Sequence, residues 1–313
     1  MSKLTIVMFH YVRDLKYSKY PNIKGLDVEL FKNQIQYILK HYKVIRMEEL
    51  IESVLENSIK LSNNSILLTF DDAYKDHFEF VFPILDELSI QGSFFPPAKA
   101  ILNHQVLDVN KIHFVLASVK DKKQIISDIL SMLNEYRTEY LLKSNEYYYR
   151  KLAIKDRFDT KEVIFIKTIL QKELPEELRN IIVNFIFNKY VSVDEASFSR
   201  ELYMNLDQLK LMKRKDMYIG SHGYNHYWLN TLSKEKQKEE VELSIEFLKK
   251  LGCNTNNFAF CYPYGAYNES LISILKESGC GLALTTHADI ANTNKPFILS
   301  RLDTNDLPTG DNI

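Results

Sequence analysis

Two carboxylates stand side by side at Asp71 and Asp72, directly after the apolar run Ile66 to Phe70. Two imidazoles stand four residues apart in SHGYNH, at His222 and His226. Adjacent like charges repel, and burial raises that cost, so the aspartate pair asks for a cation. An i, i+4 spacing puts both imidazoles on the same side of a helical turn. Neutral imidazole is the commonest transition-metal ligand. Two histidines and one aspartate would hold a divalent ion and leave coordination positions open for water. One aspartate then binds the ion while the other faces that water. Each motif alone also has an ordinary reading. DDAY fits a turn or a helix N-cap, and a lone HxxxH fits a surface helix. It is their joint occurrence, each at the end of a strand, that points to chemistry.

The elements that must position these residues can be read from the pattern. Short β-rich runs alternate with amphipathic helices. The strand candidates are LTIVMFH, KVIRM, SILLTF, SFFPPA, MYIGSH, FAFCYP, GLALTT and FILSRLD. Between them, ELFKNQIQYILKHY places Phe31, Ile35, Ile38 and Leu39 on one face. KEKQKEEVELSIEFLKKLG stops at Gly252, and NESLISILKESG starts at Asn268 and stops at Gly279. Strands alternating with helices imply a parallel sheet with right-handed crossovers.

Residues 103–203 break this rhythm, with no strand pattern and with helical spacing in KKQIISDILSMLNEY and EELRNIIVNFIFNKY. The segment reads as a helical insertion between strands of a single domain spanning residues 1–313, near the mouth of the site, where it would shape substrate access. EYYYRK reads as one face of a helix within it. Polar, chemically able residues gather where strands end. His10 closes the first, Asp71 and Asp72 the third, His222 the strand after the insertion, and Arg301 and Asp303 the last. In a closed α/β barrel those ends share one face, where active sites are built.

Bulk composition narrows the partners. The chain has 313 residues, 45% hydrophobic and 26% charged, an ordinary globular balance. With 40 basic and 41 acidic residues the formal net charge is -1, which gives no reason to expect a nucleic acid or an acidic membrane. The first residues, MSKLTIVMFHYVRD, do not form a signal peptide, and no stretch approaches a membrane span. Cys253, Cys261 and Cys280 lack metal-ligand spacing and read as buried thiols in a reducing, cytoplasmic setting.

The motifs together resemble the polysaccharide deacetylases, the NodB-type family also known as carbohydrate esterase family 4. The resemblance runs over residues 4–100 and 205–308. LLTFDDAY resembles the family's TFDDG motif, IGSHGYNHYWLNTLS its H-x-x-x-H motif, and FAFCYPYGAYN the proline-glycine motif of its shorter members. The resemblance implies a distorted (β/α)7 TIM-like barrel. It implies that Asp72, His222 and His226 bind a divalent metal, most often zinc, with cobalt, nickel, manganese or iron as alternatives. It assigns Asp71 as general base and the backbone N–H of Tyr264 as an oxyanion donor. The implied activity is removal of an N-acetyl group from an N-acetylated sugar in the biosynthesis of a surface glycan or polysaccharide.

The chain departs from the family pattern at three places. Ala73 replaces the usual glycine, which suits a right-handed backbone there. Cys261 stands where many members carry an arginine that contacts the base, and Arg301 is the candidate to take over that contact. The general acid is either His10 or His287, the latter in a loose match, LTTH, to the family's late motif. Trp228, directly after the histidine motif, either stacks on a sugar ring or packs against the rim. The departures also admit a catalytically silent, glycan-binding barrel. An O-deacetylase or other amide hydrolase would use the same water attack. Two histidines and a carboxylate also describe non-haem iron oxygenases, but the strand-helix alternation and the neighbouring Asp71 argue against one.

Overall fold

The computed structural model describes residues 4–55, 60–155 and 159–308. They fall into two compact units. The first holds the described residues up to Asp14, Gly25–Gln105, and those from Ser199 onward. The second holds Leu15–Lys24 and Val106–Phe198.

The first unit is an α/β fold whose strands pair in parallel. Besides the two-residue strands Val12–Arg13, Leu26–Asp27 and Lys43–Val44, they are β1 (Leu4–Phe9), β2 (Ser65–Asp71), β3 (Ser93–Phe95), β4 (Tyr218–Ile219), β5 (Phe258–Cys261), β6 (Cys280–Leu284) and β7 (Leu302–Asp303). One sheet runs in the order β7-β1-β2-β3-β4, with the short strand Lys43–Val44 also pairing with β2. A second sheet pairs β5 with β6. Single parallel bridges join Ser221 to Phe260 and Leu284 to Leu299.

β1 and β2 are buried along their whole length, as strands covered on both faces must be. Their alternating side chains feed two different cores. Val7, Phe9, Leu68, Phe70 and Phe260 belong to one, packed with helix residues such as Phe31 and Ile35. Ile6, Leu67, Phe95, Ala259 and Cys261 belong to the other. Phe9, Phe70 and Phe94 stack in a ladder, with ring centroids 4.9 and 4.8 Å apart. The ladder locks three adjacent strand ends, those of β1, β2 and β3. The same parity puts Asp71 on the face of Leu67 and Thr69, the face that Cys261 shares.

Helices of this unit start and stop by local rules. Asp27 caps Val28–His41, Ser233 caps Lys234–Lys250 and Asn268 caps Glu269–Glu277, each accepting a backbone N–H. Gly252 and Gly279 follow the last two helices with φ of +70° and +82°, the left-handed turn that ends them. One expectation needs correction. Phe31, Ile35 and Ile38 are buried, but Leu39 is exposed. The stripe is completed instead by Gln34, one turn before Ile38, which is buried and donates to the Thr304 carbonyl at 2.8 Å.

In the second unit every described element is a helix, including Asp108–Ser118, Lys122–Glu135, Asn145–Leu152 and Glu176–Tyr190. Ile112, Ile125, Ile129, Ile182 and Ile186 fill its interior. Asp121, Ser144 and Thr160 cap its helices. The segment Leu15–Lys24, which has no helical spacing of its own, belongs here through Tyr20, whose ring lies 4.9 Å from that of Phe114. The unit is thus not drawn at 103–203 alone.

Candidate metal centre and its neighbours

The site grows from the end of β2. Asp71 is its last residue, and the chain then turns through two left-handed positions, Asp72 at φ +70° and Ala73 at φ +54°. The condition under which Ala73 would replace glycine without strain, a right-handed backbone, is therefore not met. The turn is imposed by its ties: Asp72 N–H donates to Phe95 O at 3.2 Å, and Met204 N–H donates to Ala73 O at 2.9 Å. An L-residue there costs about 1–2 kcal/mol. The turn sends the two carboxylates to different partners.

Asp71 meets a fork. Arg301, fully buried just before β7, donates from Nη1 to Oδ1 at 2.9 Å and from Nη2 to Oδ2 at 2.7 Å. The Cys261 thiol lies 3.5 Å from both oxygens. His10 Nε2 lies 3.9 Å from Oδ2, on a side chain 40% exposed. Burial pushes the Asp71 carboxyl up, but Arg301 and then His222 outweigh it and hold it well below the usual carboxylate range. Asp71 is thus an anion throughout the physiological range.

Asp72 meets the histidines. Its Oδ1 lies 3.6 Å from His222 Nε2 and 3.4 Å from His226 Nε2. The expected spacing brings these rings together, but not by a helical turn. Residues 222–226 are a loop, bent by Gly223 at φ +73° and His226 at φ +61°. Ring centroids of the two histidines are 4.8 Å apart.

The residues present fit a cation. His222 Nδ1–H donates to the Cys261 carbonyl at 2.8 Å, which turns the Nε2 edge of the ring toward Asp72. Burial, against the pull of Asp72, drops His226 to about 4, so its ring is neutral at pH 7. Asp72 Oδ1 is itself buried with no hydrogen bond among the described residues. Asp72 Oδ1 and one ring nitrogen of each histidine, all within 4.8 Å of one another, therefore form a group that could hold a metal ion.

Two groups around the triad escaped the sequence reading. Tyr74 O–H donates to Asp72 Oδ2 at 2.6 Å, from a buried ring stacked 4.1 Å from Tyr11. Burial and then Asp72 raise its phenol well above the ordinary value, so it stays a donor. Glu240, on the helix Lys234–Lys250, accepts from Tyr224 N at 3.2 Å and Asn225 N at 2.9 Å. A signal for Glu240 did exist. Gln237, Glu240 and Ser244 interrupt the stripe of Val241, Phe247 and Leu248 at buried spacing, and buried polar groups need partners.

The remaining candidates are spread. Tyr264 has φ +57°, stacks 4.5 Å from Trp228 with planes 3° apart, and meets the His226 ring edge-on at 4.8 Å. His287 is exposed, and its backbone carbonyl accepts from Arg301 N at 3.0 Å. Among the described residues no hydrogen bond or ion pair joins its imidazole to Asp71 or the triad.

Comparison with known proteins adds a family. The polysaccharide deacetylase family model matches residues 145–283, a stretch that carries both histidines and the Pro263 turn. That stretch of the chain is similar to the polysaccharide deacetylase family. No curated protein matches the chain. Its fold is that of several solved deacetylases. PplD of Streptococcus pyogenes, solved with acetate, is 18% identical with a TM-score of 0.58, over 96% of this chain and 92% of that one. IcaB of Ammonifex degensii is 17% identical with a TM-score of 0.55, over 97% and 94%. The BpsB deacetylase domain of Bordetella bronchiseptica is 13% identical with a TM-score of 0.55, over 96% and 95%. Among the described residues no helix is long and apolar enough to cross a membrane.

Proposed function

We propose that this protein is a metal-dependent hydrolase that removes an N-acetyl group from an N-acetylated sugar during glycan or polysaccharide biosynthesis. The observation that carries the reading is the division of labour between neighbouring carboxylates. Asp72 faces the Nε2 atoms of two imidazoles, while Asp71 is held as an anion by Arg301. Asp72, His222 and His226 would hold the ion. A divalent ion there, zinc by preference, supplies Lewis acidity and can bring the pKa of water to about 7.

Asp71 takes the proton of the attacking water. Arg301 fixes that carboxylate in orientation, and its pull leaves Asp71 a weak base on its own, a deficit that an ion held by Asp72, His222 and His226 would offset by acidifying the water. His10, 3.9 Å from Asp71, is the better placed of the two histidines to protonate the leaving amine. The backbone N–H of Tyr264 is the proposed donor to the oxyanion, in a left-handed turn packed against His226. The acetate in the PplD structure is the kind of product this reaction releases. The parallel strands β1 to β7 and the bridges Ser221–Phe260 and Leu284–Leu299 support reading the first unit as a distorted (β/α)7 barrel.

The test has two stages. Purified wild type should contain about one divalent ion per chain by elemental analysis, and a folded His222→Ala, His226→Ala variant should contain none. Acetate release from a panel of N-acetylated sugars should then be lost in Asp71→Asn with metal retained. A wild type that neither carries nor takes up a divalent ion sinks the metal-dependent reading. Metal without acetate release from any N- or O-acetylated sugar would leave a silent glycan-binding barrel.

A further inference from the structure

The loop that carries both histidines is clamped from two sides. Ala98 N–H donates to Gly223 O at 3.3 Å, and Lys99 N–H donates to Tyr224 O at 3.0 Å. These are the first amides of the helix Ala98–Leu102, and they fix the loop's carbonyls. Its N–H groups turn the other way, toward the helix Lys234–Lys250. There the Glu240 carboxylate accepts from Tyr224 N and Asn225 N through Oε2, and from Asn225 Nδ2 through Oε1. One turn on, Ser244 Oγ accepts from Ser221 Oγ at 2.9 Å, and Ser221 Oγ accepts from Gly223 N at 3.3 Å.

We infer that Glu240 is a positioning residue that sets the separation of His222 and His226 and thereby the metal affinity of the site. This rests on the metal reading above. Glu240 is 4% exposed, and among the described residues its hydrogen bonds run to Tyr224 and Asn225, not to either histidine. It acts through the two residues between them. The loop has no helical hydrogen bonds to hold its shape, and His226 sits at a left-handed φ that only outside contacts maintain. A carboxylate suits the task because it is acceptor-only, and the loop presents three N–H donors to it. An amide in its place keeps one oxygen and loses the charge, so it holds the loop's N–H groups less firmly. Partners that orient ligands in this way typically change metal affinity about 10–100-fold when altered.

The experiment is zinc affinity of the metal-stripped full-length protein, by competition with a chromophoric chelator, for wild type and Glu240→Gln. Thermal stability of the stripped proteins is measured alongside. The expected result is a folded Glu240→Gln with zinc affinity about 10–100-fold weaker. A purely structural role would lower the melting temperature and leave zinc affinity of the folded protein unchanged, and that result overturns the inference. If Glu240→Gln does not fold, Asn225→Ala removes only the side-chain arm of the clamp. Asn225→Ala should weaken zinc severalfold, and unchanged affinity there overturns the inference equally. A wild type that binds no zinc overturns the metal site itself, and this inference with it. Tight wild-type binding with an equally tight Glu240→Gln overturns this inference alone.

Discussion

Arg301 grips Asp71 with both terminal nitrogens, at 2.9 and 2.7 Å, across 230 residues of sequence and in full burial. The same guanidinium donates from Nε to Thr285 O at 2.8 Å and from Nη1 to Thr69 Oγ1 at 3.1 Å. Thr69 in turn donates to Val7 O at 2.7 Å. The pair is therefore built into three strand ends and cannot slide. That rigidity aims the carboxylate, and the charge on Arg301 keeps it ionised.

Breaking this pair from one side should be costly. Arg301→Met leaves a buried carboxylate without its cation, and such losses run to about 3–5 kcal/mol. Neutralising the orphan should recover much of that. We therefore expect the double variant Asp71→Asn, Arg301→Met to be more stable than Arg301→Met alone, by urea unfolding at pH 7. A double variant less stable than the single one would show that Arg301 works mainly through Thr285 and Thr69.

Tyr74 should matter to stability before it matters to any reaction. Its hydroxyl is the donor to Asp72 Oδ2, at 2.6 Å. Tyr74→Phe removes that donor and leaves a buried, charged oxygen without it, at a cost of about 1–3 kcal/mol. Chemical unfolding of metal-stripped protein measures this directly. A loss below about 0.5 kcal/mol would mean that Asp72 finds another donor.

Ala73 sits at φ +54° with its methyl buried. Glycine there relieves about 1–2 kcal/mol of left-handed strain. It also gives up a buried methyl worth about 0.8 kcal/mol. Ala73→Gly should therefore be neutral to slightly stabilising, whereas Ala73→Val adds β-branching to the strain and should destabilise. The midpoint of urea unfolding distinguishes these, and a clearly destabilised Ala73→Gly contradicts the strain argument.

Side-chain types and strand ends made much of this site readable before any coordinates. Asp71, Asp72, His222 and His226 are chemically able residues placed where apolar runs stop, and parallel strands gather such ends. The path by which the histidines meet was not readable. A spacing of four suggests a helical turn, yet Gly223 and His226 make a loop with the same result. The conformation of Ala73 was not readable either, because its left-handed backbone is imposed by the neighbours that bind Asp72 N and Ala73 O. Leu39 misled because a helical stripe has an edge, and one residue is 100° of rotation. Tyr74 and Glu240 act through contacts that depend on a left-handed turn and on a loop laid over a helix, neither of which has a sequence period.

His77 makes acid stability a test of the buried arrangement. Its Nε2–H donates to the His10 carbonyl at 2.6 Å, and the ring is fully buried. Burial lowers it to about 4, although the bond to His10 pulls the other way. Burial lowers His226 to about 4 as well. An unfolded histidine titrates near 6.5, so between about pH 6.5 and 4 the unfolded chain binds more protons than the folded one. Stability is then complete above about pH 6.5 and falls as the pH drops through that window. Each histidine contributes up to about 3 kcal/mol of the loss. Asp71 and Asp72 do not oppose the trend, because their folded values lie below the unfolded one and their stabilisation persists until lower pH. His77→Gln keeps a donor for the His10 carbonyl and removes one titrating group. Melting temperature measured from pH 7 to 4 on metal-stripped protein should therefore fall less steeply in His77→Gln than in wild type. Parallel curves would mean that His77 is not held neutral in the folded protein.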